Sequence, residues 1–171
     1  THEAGDVYND AGATASDSYY GVITNNITST SNVNQDVVGN YTVTYDVTDA
    51  SGNSAPQLTR TVNVVNTTKP TITLLGNATV THEAGDVYND AGATANDSYY
   101  GNITNDITSI SDVNQNVVGN YTVTYDVTDG SGNSAPQLTR TVNVVNTTKP
   151  TITLLGDAIV THQAGDVYND A

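Results

Sequence analysis

The chain contains no cysteine, phenylalanine, tryptophan or methionine, and only four lysine and arginine side chains among its 171 residues. Each absence removes a class of function. Without cysteine there is no disulfide, no thiolate metal site and no thiol nucleophile. Four basic residues against eighteen acidic ones leave a net charge of −14, which repels a phosphate backbone and excludes nucleic acid as a partner. No apolar run is long enough to cross a bilayer as a helix, so no membrane span is expected in this segment. No initiator methionine or signal peptide opens the chain, and it reads as a slice of a longer one.

What remains is a chain of Thr, Asn, Val, Ile, Leu, Ala and Tyr. The apolar members alternate along clear β-type segments, which is not the composition of a disordered polymer. The dominant feature is repetition. The string GNYTVTYDVTD occupies Gly39–Asp49 and again Gly119–Asp129, eighty residues later. Residues 1–91 laid over 81–171 differ at only ten positions: 16, 22, 26, 30, 32, 36, 50, 77, 79 and 83 of the first copy. The chain therefore divides into 1–66, a repeat lacking its first strand; 67–146, a complete repeat; and 147–171, the start of the next. A unit of about eighty residues buries a modest core and usually needs a staple. Without cysteine, the candidates are a metal, the neighbouring repeat or a covalent side-chain link. Lys69 and Lys149 are the lysines available for a Lys–Asn isopeptide bond, but each precedes Pro in the linker NTTKP, where a side chain should be solvated.

Within the complete repeat no segment has a helical period. Ile72 and Leu74 share one face of the opening strand. In Gly119–Asp129, Tyr121, Val123, Tyr125 and Val127 face in, while Thr122, Thr124, Asp126 and Thr128 face out. Leu138, Val142 and Val144 mark the closing strand. About seven short strands with regular turns argue for an all-β sandwich. Gly119, Tyr121 and Val123, like Gly39, Tyr41 and Val43, stand at the spacing of a tyrosine corner, in which the phenol ties down the preceding connection.

The strings GDVYNDAGATANDSYYGNIT, VGNYTVTYDVTDGSGNSA, TRTVNVV and KPTITLLG together resemble the tandem immunoglobulin-like repeats of bacterial surface proteins, close to the hyalin-repeat kind. The resemblance covers the whole chain. It implies tandem immunoglobulin-like β-sandwich domains in a head-to-tail array, extracellular or on the cell surface, and non-catalytic. It also implies a part in a stalk, a filament or a large adhesin, with neighbouring repeats as partners.

Three groups of residues are candidates for function. In DGSGN, Asp129, Ser131 and Asn133 stand at alternate positions, as do Asp49, Ser51 and Asn53 in DASGN. Such oxygens can wrap calcium, with Glu83, Asp86, Asp90 and Asp97 adding carboxylates from other loops. The same residues also fit a self-capped turn. The tandem tyrosines Tyr19–Tyr20 and Tyr99–Tyr100 either pack inward or form a contact or sugar-stacking surface for a glycan or another cell. Burial of this pair between repeats would favour assembly, and exposure would favour binding. His2, His82 and His162 do not complete a zinc motif, and a catalytic centre copied along an array is not expected. Finally, the segment PTITLLG is expected beside the strand at Gln57–Val65, covering the core of the first repeat, with the tail Lys149–Val160 carrying a spare copy.

Overall fold

The computed structural model describes residues 1–169, so the last two positions of the third segment lie outside it. The first repeat contains β1 (His2–Glu3), β2 (Ser16–Asp17), β3 (Gly21–Val22), β4 (Thr28–Ser31), β5 (Gly39–Asp46) and β6 (Leu58–Val65). The second contains β7 (Thr71–Leu74), β8 (Thr79–Glu83), β9 (Ala93–Asp97), β10 (Gly101–Asn102), β11 (Thr108–Ser111), β12 (Gly119–Asp126) and β13 (Leu138–Val145). The only helical turns among the described residues are two short 3-10 segments, Thr24–Asn26 and Thr104–Asp106.

Each repeat is a sandwich of two sheets. In the second, β11-β12-β13-β8 form one sheet and β10-β9-β7 the other. The alternation in β12 appears as read: Val123 and Tyr125 are buried, and Val127 continues the row beyond the strand. Val142 and Val144 of β13 meet them, and Ile72 and Leu74 of β7 pack across from the opposite sheet. The equivalent centre of the first repeat is Val43, Tyr45, Val62 and Val64.

The opening segment corrects one expectation. PTITLLG does not lie beside the closing strand. In the second repeat β7 pairs antiparallel with β9, Thr71 opposite Asn96 and Leu74 opposite Ala93. The chain then turns at Gly76, whose φ of 78° is left-handed, and crosses to the other sheet. There β8 runs parallel to β13, from Thr79 opposite Thr141 to Glu83 opposite Val145. In the first repeat the neighbour of β6 is therefore β1, His2 opposite Val64, and a cleft of about 580 Å3 opens over Ala13, Ala15, Ile27, Tyr45 and Leu58. The tail copy does not fill that cleft. Ile152 is 96% exposed, and residues 150–160 form no strand. The physical reason is the crossing itself: beyond Gly76 the segment leaves one sheet for the other, so only its second half reaches the closing strand.

The tyrosine corners are formed. The phenols of Tyr41 and Tyr121 each donate to the carbonyl four residues upstream, Val37 and Val117, at 2.9 Å. A Cβ on Gly39 or Gly119 would stand 3.4 Å from the ring that closes the corner.

A polar pin runs through the apolar interior. Arg140 is 1% exposed although it stands in a row with Leu138, Val142 and Val144. Its guanidinium pairs with Asp90. It also donates to the Tyr125 hydroxyl at 2.9 Å, to the Asn77 carbonyl at 3.1 Å, to the Gly92 carbonyl at 3.2 Å and to the Leu75 carbonyl. Tyr125 and Tyr88 both donate to Asp90. Burial pushes the Asp90 carboxyl upward, but the bonds from Tyr125, Arg140 and Gly92 outweigh it and hold the group below the usual carboxylate range. Burial and the adjacent Asp90 push the Tyr125 phenol well above its usual value. The first repeat has the same pin, Arg60 with Asp10 and Tyr45, but there Arg60 is 36% exposed.

Three outcomes follow. Arg140→Ala strands a buried carboxylate and should destabilise the second repeat by about 3–5 kcal/mol, while Arg60→Ala should cost far less; urea denaturation of each variant reads the difference. Tyr121→Phe removes one corner bond and should cost about 1 kcal/mol without altering the circular dichroism spectrum. Because the folded state lowers Asp90, its contribution is complete above the unfolded carboxylate value of about 4 and is lost as pH falls through the lower folded value. A melting series from pH 7 to pH 2 should fall steeply below that point, and Asp90→Asn should flatten the fall.

Candidate functional site: the junction between repeats

The hairpin turn between β9 and β10, the loop Asp129–Asn133 and the linker 66–70 meet at one end of the second repeat. The turn exists because the Asp97 carboxylate accepts from the backbone N–H groups of Tyr99 and Tyr100, at 2.8 and 2.9 Å, and Gly101 closes it. Tyr99 and Tyr100 stack edge-to-face at 4.9 Å. The Tyr100 hydroxyl reaches Ser131 Oγ at 2.9 Å, and the Tyr99 hydroxyl accepts from the backbone N–H of Val38, in the preceding repeat, at 3.1 Å. In the first repeat the same pair is open: Tyr19 is 86% exposed, whereas Tyr99 is partly buried. Tyr20 still meets Ser51, so that hydroxyl bond belongs to the loop and the Val38 bond belongs to the junction.

The loop DGSGN is a turn capped by its own aspartate. Asp129 Oδ1 accepts from the backbone N–H groups of Ser131 at 2.9 Å and Asn133 at 2.8 Å, and Oδ2 accepts from Asn133 Nδ2 at 2.8 Å. Asp49 repeats this pattern with Ser51 and Asn53. At the junction a fourth bond is added. Asn66, buried in the linker, donates from Nδ2 to Asp129 Oδ2 at 3.0 Å, and its carbonyl accepts from Asn133 Nδ2 at 3.0 Å. Burial pushes Asp129 upward, but the Asn133, Ser131 and Gly132 bonds prevail and lower it. Pro70 is fully buried beside this linker. A Cβ at Gly130 would stand 2.9 Å from the Tyr100 ring; the first repeat has Ala50 there.

Glu83 is not with these residues. It sits at the far end of β8, and its carboxylate accepts from the backbone and hydroxyl groups of Thr147 and Thr148, which lower it. Glu3 does the same for Thr67 and Thr68. The linker is thus held at Thr67 by the repeat before it and at Asn66 by the repeat after it. Asp90 belongs to the arginine pin, and Asp86 offers its carbonyl to His82 at 3.1 Å. Among the described residues no three His, Asp or Glu side chains gather at one point. Lys69 is exposed.

Two functional residues escaped the sequence reading. Arg140 was detectable, because it occupies an inward position of an alternating strand. Asn66 carries no such signal; one Asn among many in a short linker gains its meaning only from what packs on it.

The family model "Bacterial surface protein, Ig-like domain" matches residues 1–64 and 72–144. No curated protein matches the chain. Among solved structures, the lipoprotein BT2262 from Bacteroides thetaiotaomicron is 25% identical over 47% of this chain and 40% of its own, with a TM-score of 0.42. A ZmpB structure from Clostridium perfringens, containing CBM51-2 in complex with GlcNAc and INT domains, is 29% identical over 45% of this chain and 16% of its own, with a TM-score of 0.38. The chain thus spans less than half the length of these structures. With two matched segments that together make up most of its length, the chain belongs to the family of bacterial surface proteins with immunoglobulin-like domains.

Proposed function

We propose that these repeats act as a non-catalytic spacer, a stretch of stalk that holds another part of a surface protein away from the cell. The observation that supports this most is the Tyr99–Val38 bond. The loop best suited to recognition in an isolated repeat is spent on the preceding repeat. The Asn66–Asp129 bond and the Glu3 clamp add to it, because they fix both ends of a short linker that contains no glycine. A joint made this way resists bending, and every added repeat extends the reach by the same step. A net charge of −14 keeps such a polymer soluble.

A second reading, recognition of a surface glycan or another cell, draws on the exposed Tyr19–Tyr20 pair of the first repeat. It requires that loop to stay uncovered, whereas in the second repeat Tyr99 is partly buried and bonded to the preceding repeat.

Small-angle scattering of the chain should give a maximum dimension and a Kratky profile of two domains at a fixed angle. Replacing Asn66 by Ala and Tyr99 by Phe together should broaden the distance distribution while each repeat keeps its own melting transition. A freely bending wild-type pair, indistinguishable from the double variant, would overturn the spacer reading.

A further inference from the structure

Every basic side chain of this protein has an assigned place. Arg60 pairs with Asp10, Arg140 pairs with Asp90, and Lys69 and Lys149 are exposed. None remains for the two buried carboxylates at the junction end of the second repeat, Asp97 at 1% and Asp129 at 6% exposure. These two come from opposite sheets. Asp97 ends the inward row Ala93, Ala95 of β9, and Asp129 ends the row that runs through Val123 and Tyr125 of β12 and continues at Val127 beyond it. The two loops meet through Tyr100, whose backbone N–H bonds Asp97 Oδ1 while its hydroxyl reaches Ser131 Oγ and its ring lies against Gly130, next to Asp129; in the first repeat the equivalent Asp17 and Asp49 both line the open cleft.

The two carboxylates are not equally satisfied. Asp129 accepts four N–H donors. Asp97 spends Oδ1 on Tyr99 and Tyr100, and its Oδ2 is buried without any partner. A carboxyl oxygen buried this deep and unmatched, with no basic side chain assigned to it, calls for a partner.

We propose that the junction binds one divalent cation of the calcium class, anchored on Asp97 Oδ2, with Asp129 and the side-chain amides of Asn66 and Asn133 completing an oxygen shell. Calcium suits a site built only of carboxylate and amide oxygens. A half-turn of an asparagine amide exchanges its N–H and oxygen positions. Asn66 and Asn133 now aim N–H groups at Asp129; a half-turn of each would give up the bond that Asn66 Oδ1 accepts from the Thr68 N–H and the one that Asn133 Nδ2 gives the Asn66 carbonyl, and would present both oxygens to the ion in exchange. Asp129 keeps Oδ1 in its turn and frees Oδ2. Asn66 belongs to the linker, so the shell is complete only where one repeat follows another, and the ion would tie the linker to both sheets of the following repeat. Two carboxylates place the affinity in the weak range typical of extracellular modules, about 10⁻⁴–10⁻³ M. The proposal rests on the junction geometry and not on the array being a spacer.

The test uses the whole chain, freed of metal by a chelator, at pH 7. Calcium chloride is titrated by calorimetry, and terbium is titrated while its luminescence is excited through tyrosine, since Tyr99 and Tyr100 stand in the turn that Asp97 caps. The expected result is one saturable site, terbium emission displaced by calcium, and a melting temperature higher in calcium than in chelator. Asp97→Asn should abolish all three, Asn66→Ala should weaken binding several-fold, and Asp17→Asn, in the open first repeat, should leave them unchanged. Calcium heats equal to dilution, with the same melting temperature in calcium and chelator, would overturn the proposal. Saturable binding that survives Asp97→Asn would overturn it too. A fixed two-domain angle in scattering together with calcium heats equal to dilution would sink the ion and leave the spacer reading standing; calcium binding by a freely bending pair would do the reverse.

Discussion

The guanidinium of Arg140 ties together parts of the repeat that the backbone alone would leave separate. It reaches Leu75 and Asn77 in the crossing between sheets, Gly92 and Asp90 beside the other sheet, and Tyr125 in the middle of its own. A domain of this size without disulfides has little apolar area to spend, and one charged hub that satisfies three carbonyls, a phenol and a carboxylate does part of the work of a staple. The rest of the sandwich depends on it, because the crossing segment is what lets one chain segment edge both sheets. A hub of this kind is stabilising only while complete: removing one member leaves the others buried and unmatched.

The two repeats form an internal control, since nearly the same sequence stands in two surroundings. Where β7 lies across the core and a linker caps the end, Arg140, Asp97 and Tyr125 are almost wholly withdrawn from water. Where the cleft is open, Arg60 and Asp17 are partly wetted and Leu58 is mostly exposed. The sheet made of β4, β5 and β6 is nonetheless the same, with Gly39 opposite Val64 as Gly119 is opposite Val144. The antiparallel centre of the fold is therefore robust to its surroundings, whereas burial of the polar positions is conferred by the neighbours.

That division also explains what the sequence disclosed. The strands, their inward faces and the tyrosine corner follow from a period of two and from fixed local spacing, both written in contiguous residues. The location of PTITLLG was misread because pairing partners depend on a turn at Gly76 that sends the chain to a second sheet, and no local pattern states how far a segment continues along one edge. Asp129 was legible as both a turn cap and a ligand, and its geometry displays the cap. Asp97 looked like one loop carboxylate among several; only its burial and its unmatched oxygen set it apart from Asp86 or Glu83. Asn66 was silent, since its partners lie 63 and 67 residues away.

The parallel pairing of β8 with β13 carries a mechanical meaning. β8 follows the opening strand β7, β13 closes the same repeat, and the two run in the same direction side by side. A pull along a chain of such repeats slides one strand past the other along their common axis. The ladder from Thr79–Thr141 to Glu83–Val145 is then loaded in shear, all rungs sharing the tension at once, instead of being peeled open one rung at a time. Resistance to forced unfolding is set by the barrier to that sliding rather than by equilibrium stability. A tether anchored in flowing liquid would gain its strength from this arrangement even though each small domain is only modestly stable at rest.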